Sequence, residues 1–307
     1  MLKKAKPFAF ETVKGDPFPN SDYYVYGDYK IHYRVDPAKT VTPAAKAFMV
    51  HGFACNTRFY DEMVERLTAA GVSCLRIDLP DFGFSTREYK GIDYVPQTKI
   101  LHQMMEDFDE DGSGWILFGH SMGGSVAMQM TIEEKLLAPE DRKIAATVLY
   151  APLVMADSPQ FLRKIMKNGP VGAILEAILP FVTPYEPIWK AVGYMMTFDW
   201  PYTKAMDNGV YRDPLQVKNM GHGLAFMTAV AVKPDIDEME DVSVPVQFII
   251  GGRDLFVMPN VAFKMWKKMP KCAAKKLFLS GGHCFLQNQA DRTFAETSSF
   301  LKKNGLL

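Results

Sequence analysis

The chain has 307 residues, of which 48% are hydrophobic and 23% are charged, a composition typical of a globular protein with a sizeable core. Its 35 Lys and Arg residues balance 35 Asp and Glu residues, so the basic excess expected of a general nucleic-acid binder is missing. We therefore expect no nucleic-acid partner.

The spacing of the cysteines and the residues at the start of the chain argue against several further classes of protein. The four cysteines form no Cys-x-x-Cys pair and no close cluster with histidine, which disfavours a disulfide framework and a structural zinc site. No apolar run follows the basic residues at the start, as it would in a signal peptide. The apolar stretch 171–183 is interrupted by Glu176 and Pro180 and is too short to cross a bilayer. We expect a cytoplasmic protein with free thiols and no stable membrane insertion.

The first half of the chain alternates β-rich runs with helical patterns. A hairpin is predicted over 24–33 with its turn at Gly27-Asp28, and Asn56 is a candidate cap for a helix that ends at Gly71. Further strands are predicted at 47–50, 73–77, 115–118 and 145–150, with helices around 97–108 and from Ser121. This alternation predicts a mostly parallel α/β sheet with helices on both faces.

The pattern changes from Pro152 to Pro234, where no strand is predicted and nine of the twenty prolines occur. Short helices interrupted by proline, such as 161–166 and 171–179, are expected there. Strands resume at 246–250 and 276–279. We predict one α/β domain, formed by residues 1–152 and 236–307, with a helical insertion over 153–235. A separate C-terminal domain is the alternative, although two lone strands make a poor sheet.

The motif Gly-x-Ser-x-Gly occurs as Gly119-His120-Ser121-Met122-Gly123, between a predicted strand and a predicted helix. A serine on such a turn has strained dihedrals that push its hydroxyl above the sheet edge. Side chains at 119 and 123 would collide with the neighbouring strand or helix, which explains the glycines. The helix start also offers free backbone N–H groups. An ordinary glycine-rich turn is the alternative interpretation.

Two further residues complete a catalytic pattern. Asp254 follows the strand predicted at 246–250, and His283 follows the strand predicted at 276–279. Loops after parallel strands converge on the carboxyl edge of the sheet, where ligands bind. The order Ser121, Asp254, His283 then supplies a nucleophile, an orienting carboxylate and a general base.

Other acids and histidines compete for these roles. His222, between two glycines in the insertion, is an alternative base or a substrate contact, and His120 is expected to line the site. Cys284 is expected to be a buried structural thiol. Three acids are alternatives to Asp254, but they precede the strand predicted at 246–250 and would lie at the opposite edge of the sheet: Asp235, Asp237 and Asp241.

Taken together, these motifs resemble the α/β-hydrolase family, to which the motif and the residue order belong. His51-Gly52-Phe53 is similar to the family's oxyanion loop, and residues 78–85 are similar to its Asp-x-Pro-x-x-Gly-x-Ser stretch. Within the family the chain is most similar to monoacylglycerol lipases and carboxylesterases. The resemblance implies an eight-stranded, mostly parallel sheet with a helical cap inserted after the sixth strand.

The resemblance also assigns roles to individual residues. The backbone N–H groups of Phe53 and Met122 would form the oxyanion hole, and His51 would orient the loop. His-Gly-Phe-Ala stands where the hormone-sensitive-lipase branch has His-Gly-Gly-Gly, which argues against that branch. Methionines of the insertion can line an acyl pocket. We expect four substrate contacts: His120, Met195, Met196 and His222.

The implied function is hydrolysis of short- to medium-chain acyl esters through an acyl-serine intermediate, with a small-molecule ester as partner. No metal or organic cofactor is expected, and the protein is expected to be a monomer or homodimer. Thioesterase, lactonase, amidase, aminopeptidase and perhydrolase activities are alternatives on the same residues. A ligand receptor derived from a hydrolase is an alternative from another class. Dehalogenases and epoxide hydrolases need Asp at the position of Ser121, so they are excluded.

Overall fold

The protein is built around one sheet, seen in a computed structural model that describes residues 18, 20–87, 93–154, 159–207, 209–271 and 273–307. Eight strands lie within these ranges: β1 (Ser21–Tyr26), β2 (Tyr29–Asp36), β3 (Ala45–Val50), β4 (Val72–Ile77), β5 (Trp115–His120), β6 (Ile144–Tyr150), β7 (Val246–Gly251) and β8 (Ala274–Phe278). Their order in the sheet is β1-β2-β4-β3-β5-β6-β7-β8.

Strand directions confirm the predicted, mostly parallel sheet. The β1–β2 and β2–β4 pairs are antiparallel, whereas every pair from β4 to β8 across the sheet is parallel. The hairpin between β1 and β2 pairs Tyr26 with Tyr29 and turns at Gly27-Asp28, as predicted. Gly27 has a φ of +55°, a left-handed conformation that glycine adopts without strain.

Helices cover the sheet and form the insertion. They are α1 (Asp61–Ala69), α2 (Gln97–Asp107), α3 (Met122–Glu134), α4 (Gln160–Asn168), α5 (Val171–Val182), α6 (Glu186–Thr197), α7 (Trp200–Ala205), α8 (Gly209–Arg212), α9 (Met220–Val230), α10 (Pro259–Lys268), α11 (Phe285–Asn288) and α12 (Ala290–Lys303). Helices α4 to α9 lie between β6 and β7, where the helical insertion is predicted. The domain boundaries at 152/153 and 235/236 stay predictions.

Both faces of the sheet are buried. In β3, Phe48 and Val50 pack into one apolar cluster, whereas Ala47 and Met49 pack into another on the opposite face. Successive residues of a strand point to opposite sides, so an unbroken apolar run such as this one requires cover on both faces. This confirms the predicted placement of helices on both sides.

Three local predictions differ from the structure. Asn56 accepts a hydrogen bond from the Arg58 amide at 3.0 Å and caps a short 3₁₀ turn, so α1 begins only at Asp61. Pro180 lies inside α5 instead of ending it, because packing on α9 stabilises the helix beyond its local propensity. The last strand ends at Phe278 and leaves Leu279 exposed.

Apolar helices of the insertion are too short to act as single membrane spans. In the described part of the chain, no single helix combines the length and the apolar character needed to cross a bilayer. Helices α4 and α5 reach that length and composition only as a pair, and they are bent by 54° where they meet.

Candidate active site

Ser121 lies at the carboxyl end of β5, on the turn that leads into α3. Its φ of 51° and ψ of −119° are a strained conformation for a residue with a side chain. The turn is held by backbone hydrogen bonds from the Ser121 amide to the Tyr150 carbonyl at 3.1 Å and from the Gly124 amide to the Ser121 carbonyl at 2.9 Å. The surrounding backbone therefore fixes the strained serine in place.

Glycines on either side of Ser121 allow this turn to form. A Cβ atom on Gly119 would lie 2.5 Å from the Gly123 carbonyl oxygen. A Cβ atom on Gly123 would overlap the carbonyl oxygens of Val50 and His51 at the end of β3. Only glycine fits at either position, as the motif predicts.

Asp254 and His283 follow β7 and β8, and the fold brings them into contact. His283 Nδ1 donates to Asp254 Oδ2 at 2.8 Å, because an ionised carboxylate can only accept. The other carboxylate oxygen accepts the amides of Phe256 and Val257, each at 2.8 Å. Both oxygens are engaged and both residues are buried, so the imidazole has a fixed orientation with Nε2 left as its acceptor.

One cavity of about 430 Å³ lies between the end of the sheet that carries Ser121 and His283 and the helices of the insertion. Ser121 and His283 line its floor, although no hydrogen bond joins their side chains in the part of the chain described. Such contacts are often long in the absence of substrate. Further lining residues come from the sheet side and from the insertion: Leu153, Trp189, Val192, Met196, Tyr211, Leu215, Thr228 and Phe256.

The loop after β3 lies against Ser121. A Cβ atom on Gly52 would lie 3.3 Å from Ser121 Cβ, and both Phe53 and Met122 line the cavity. Met122 is the first residue of α3, where backbone N–H groups have no partner within the helix. These two predicted oxyanion donors thus border the same space as Ser121.

His51 ties this loop to the stretch 78–85. Its Nδ1 donates to the Gly52 carbonyl at 2.7 Å and its Nε2 accepts the Leu79 amide at 3.1 Å. Burial lowers the pKa of His51, which keeps the ring neutral with one donor and one acceptor. Asp78 anchors the stretch by accepting the amides of Thr57 at 2.7 Å and Phe84 at 2.9 Å.

His120 lines the cavity as predicted and contacts the base. Its Nε2 donates to the His283 carbonyl at 3.0 Å, and the two rings lie 4.7 Å apart between centroids. Burial, together with the nearby charge of His283, lowers the pKa of His120 well below its usual value. A neutral ring therefore supports the loop that carries His283.

The structure does not bring two of the four predicted substrate contacts to the cavity. Met196 lines the cavity. Met195 points about 100° away from it around the axis of α6 and is 45% exposed to solvent. His222 packs against α5, where a Cβ atom on Gly172 would lie 2.6 Å from its Nδ1. Neither Met195 nor His222 is among the lining residues.

Sequence reasoning overlooked several lining residues that carry polar atoms. Cys55 and Cys284 both line the cavity as free, buried thiols, with Tyr211 beside them. For Cys284 the signal is its position next to His283. Nothing in the local sequence marks Cys55 or Tyr211 as a lining residue. Within the described ranges, no group of three or more His, Cys, Asp or Glu residues is placed to hold a metal ion.

Comparison with known proteins adds a family and a set of similar folds. A family model for the alpha/beta hydrolase family matches residues 47–297. The structure is similar to an esterase from Exiguobacterium antarcticum, with a TM-score of 0.65, 16% identity, and 89% of this chain and 96% of that chain covered. A monoglyceride lipase from Saccharomyces cerevisiae gives a TM-score of 0.64 at 16% identity, covering 92% and 94%.

A curated relative matches over a shorter stretch. A protein of Mycobacterium phage D29, provisionally assigned as a non-heme haloperoxidase, is 26% identical over 110 residues. The match covers 36% of this chain and only 37% of the phage protein.

Proposed function

This chain belongs to the alpha/beta hydrolase family, and on that premise we propose that it is a serine hydrolase of carboxylic esters. One observation carries the proposal. Ser121, held in a strained turn at the end of β5, shares a cavity with His283, whose Nδ1 is bound by Asp254. A nucleophile, a base and an orienting acid need this arrangement.

The reaction follows from these positions. His283 Nε2 accepts the Ser121 proton as Oγ attacks the ester carbonyl carbon, and Asp254 stabilises the imidazolium that forms. The imidazolium then protonates the departing alcohol, which leaves an acyl group on Ser121. His283 next removes a proton from water, whose oxygen attacks the acyl carbon, and Ser121 regains its proton as the acid is released.

Backbone amides would stabilise the negative oxygen of both tetrahedral intermediates. Phe53 and Met122 both line the cavity together with Ser121, and we assign this role to their backbone amides. A donor of this kind contributes about 3 kcal/mol to transition-state stabilisation. His51 supports this role, since it holds the loop through the Gly52 carbonyl and the Leu79 amide.

Cavity chemistry supports a neutral, apolar acyl group as substrate. Trp189, Val192 and Met196 of α6 line it from the insertion, and Lys, Arg, Asp and Glu are absent from the lining among the residues described. A charged substrate would lose its hydration there without gaining a partner. We therefore propose short- to medium-chain acyl esters, which fit a cavity of about 430 Å³.

A panel of p-nitrophenyl esters from acetate to palmitate tests the proposal. Turnover should peak at one chain length, and Ser121→Ala should lower kcat by at least about 10⁴-fold, the scale seen when a serine nucleophile is removed. Ser125→Ala is the matched control, because Ser125 is buried one turn further along α3. It should keep near-normal activity.

Two results would contradict the assignment. Near-normal turnover by Ser121→Ala would exclude the serine as nucleophile. Turnover of a lactone or thioester far above that of every ester would keep Ser121 but replace the proposed bond type.

A further inference from the structure

Helix α5 presents an apolar face to solvent. Its only charged residue, Glu176, points inward and accepts the amides of Asn219 and Gly221 at 2.8 Å each, at the start of α9. The exposed large side chains of the helix are all apolar: Ile174, Ile178 and Phe181. A surface helix of a water-soluble domain normally has the opposite arrangement.

Helix α4 extends this apolar surface. It contacts α5, and both helices pack on α9. Its exposed large apolar residues are Phe161, Leu162 and Ile165. Phe161 is 62% exposed and Phe181 of α5 is 75% exposed. Single exposed apolar residues are common on proteins, but six on two neighbouring helices indicate an interaction surface.

The exposed charges on these two helices are positive. Among the described side chains of α4 and α5, the exposed charged residues are Lys164 and Lys167, and no exposed carboxylate accompanies them. Lys167 Nζ also lies 5.3 Å from the centre of the Phe226 ring. Apolar side chains with a lysine rim are typical of helices that lie in a membrane interface and attract anionic headgroups.

We propose that the exposed faces of α4 and α5 dock on the surface of a lipid bilayer that contains anionic headgroups. A second copy of the chain is a less suitable occupant. A two-fold contact would place the same surface on both sides, so the lysines would face lysines without a carboxylate to pair with. An anionic bilayer complements both the apolar residues and the lysines.

Docking here would also position the cavity. Helix α6 follows α5 directly; it lines the cavity with Trp189, Val192 and Met196 and exposes Tyr194 and Met195 to solvent. The insertion would then lie between the bilayer and the cavity. This proposal concerns binding alone and stands whether or not the protein hydrolyses esters.

Co-sedimentation with vesicles tests the proposal. The full chain should bind vesicles of phosphatidylcholine with about one quarter phosphatidylglycerol more tightly than pure phosphatidylcholine vesicles, and high salt should weaken the difference. The triple substitution Ile174→Ser, Ile178→Ser, Phe181→Ser should weaken binding roughly 100-fold, from the loss of three half-exposed apolar side chains. Lys164→Gln should weaken it about fivefold, on anionic vesicles only.

A matched control uses exposed apolar residues outside α4 and α5. The triple substitution Val41→Ser, Leu136→Ser, Leu279→Ser removes side chains that are at least as exposed, and binding should not change. Ser121→Ala should bind vesicles like the unmodified protein, so failure of ester hydrolysis is distinguishable from failure of docking.

Three outcomes would overturn the proposal. The first is no binding to either vesicle, and the second is binding that the α5 triple substitution leaves unchanged. The third is a dimer in solution that becomes a monomer in the α5 variant while vesicles stay unbound, which would assign the surface to contact between copies. Circular dichroism and urea unfolding should show that the variants are folded, and Lys164→Gln provides a test without loss of apolar surface.

Discussion

A single methyl group at position 119 tests how β5 and α3 position Ser121. In Gly119→Ala, the new Cβ atom would lie 2.5 Å from the Gly123 carbonyl oxygen, 2.7 Å from Ala127 Cβ and 2.8 Å from Gly124 Cα. Ordinary van der Waals contact begins at 3.4 Å. Since all three atoms belong to α3 and none is the end of a flexible side chain, the strand and the helix must separate by about 0.9 Å.

This separation should affect both activity and stability. Ser121 lies between β5 and α3, and a shift of about 1 Å in a reacting group can lower the rate by roughly 100-fold. Adding an atom to a tightly packed core also lowers the free energy of unfolding by about 1–3 kcal/mol. We therefore expect kcat/KM to fall by roughly 100-fold, with a modest loss of stability.

The assay compares kcat/KM on the preferred p-nitrophenyl ester with urea unfolding for Gly119→Ala and Gly112→Ala. Gly112 has a φ of +63° and open space around it, so alanine there introduces only left-handed backbone strain, about 1–2 kcal/mol. Both variants should lose similar stability, but only Gly119→Ala should lose activity. If Gly119→Ala keeps its kcat/KM, the close approach of strand and helix does not position Ser121.

Three further predictions follow from buried groups. Asp254→Asn should lower kcat by roughly 10⁴-fold, because the amide no longer selects the imidazole tautomer; a loss below about tenfold would show that another group orients the base. The pKa of His120 is lowered by burial and by the nearby charge of His283, so the unfolded chain takes up that proton first as the pH falls. The free energy of unfolding should therefore decrease below about pH 6.5, by up to about 1.4 kcal/mol per pH unit from this group. Urea unfolding of His120→Asn at several pH values should show a smaller decrease. An equal decrease in the two proteins would show that His120 is not its source. Burial raises the pKa of Cys55 to about 12 and that of Cys284 well above its usual value. At pH 8 a disulfide reagent should modify neither thiol until urea unfolds the protein, since the thiolate is the reactive form; rapid labelling of either, mapped by mass spectrometry, would contradict their burial.

Elements with a strong local pattern could be predicted from the sequence. The hairpin at Gly27-Asp28 and the glycines around Ser121 depend on backbone conformations and close contacts that few other residues allow. The sequence predicts Asn56 as the cap of an α-helix, whereas it caps a 3₁₀ turn, because a capping residue suits either element. Pro180 predicts the end of a helix, but packing on α9 extends that helix beyond it.

Which of the predicted substrate contacts reach the cavity depends on the tertiary structure. Met195 and Met196 are adjacent in the chain, yet about 100° of helix rotation separates their directions, and only Met196 reaches the cavity. His222 packs on Gly172 of α5, a contact that depends on how two helices cross. Residue type and spacing do not show which face of α6 lies toward the cavity or how the helix that carries His222 crosses α5.

The amino-acid sequence alone therefore predicts the succession of strands and helices along the chain, the turn at Ser121 and the sheet edge at which Asp254 and His283 lie. These features depend on periodicity and on backbone conformations that particular residues require, both of which are local. Tertiary packing sets three further features: the contact of His283 with Asp254, the lining of the cavity by Cys55 and Tyr211, and the outward apolar side of α5. Those outcomes depend on which face of each helix the remaining chain covers, and residues far apart in sequence make that choice together.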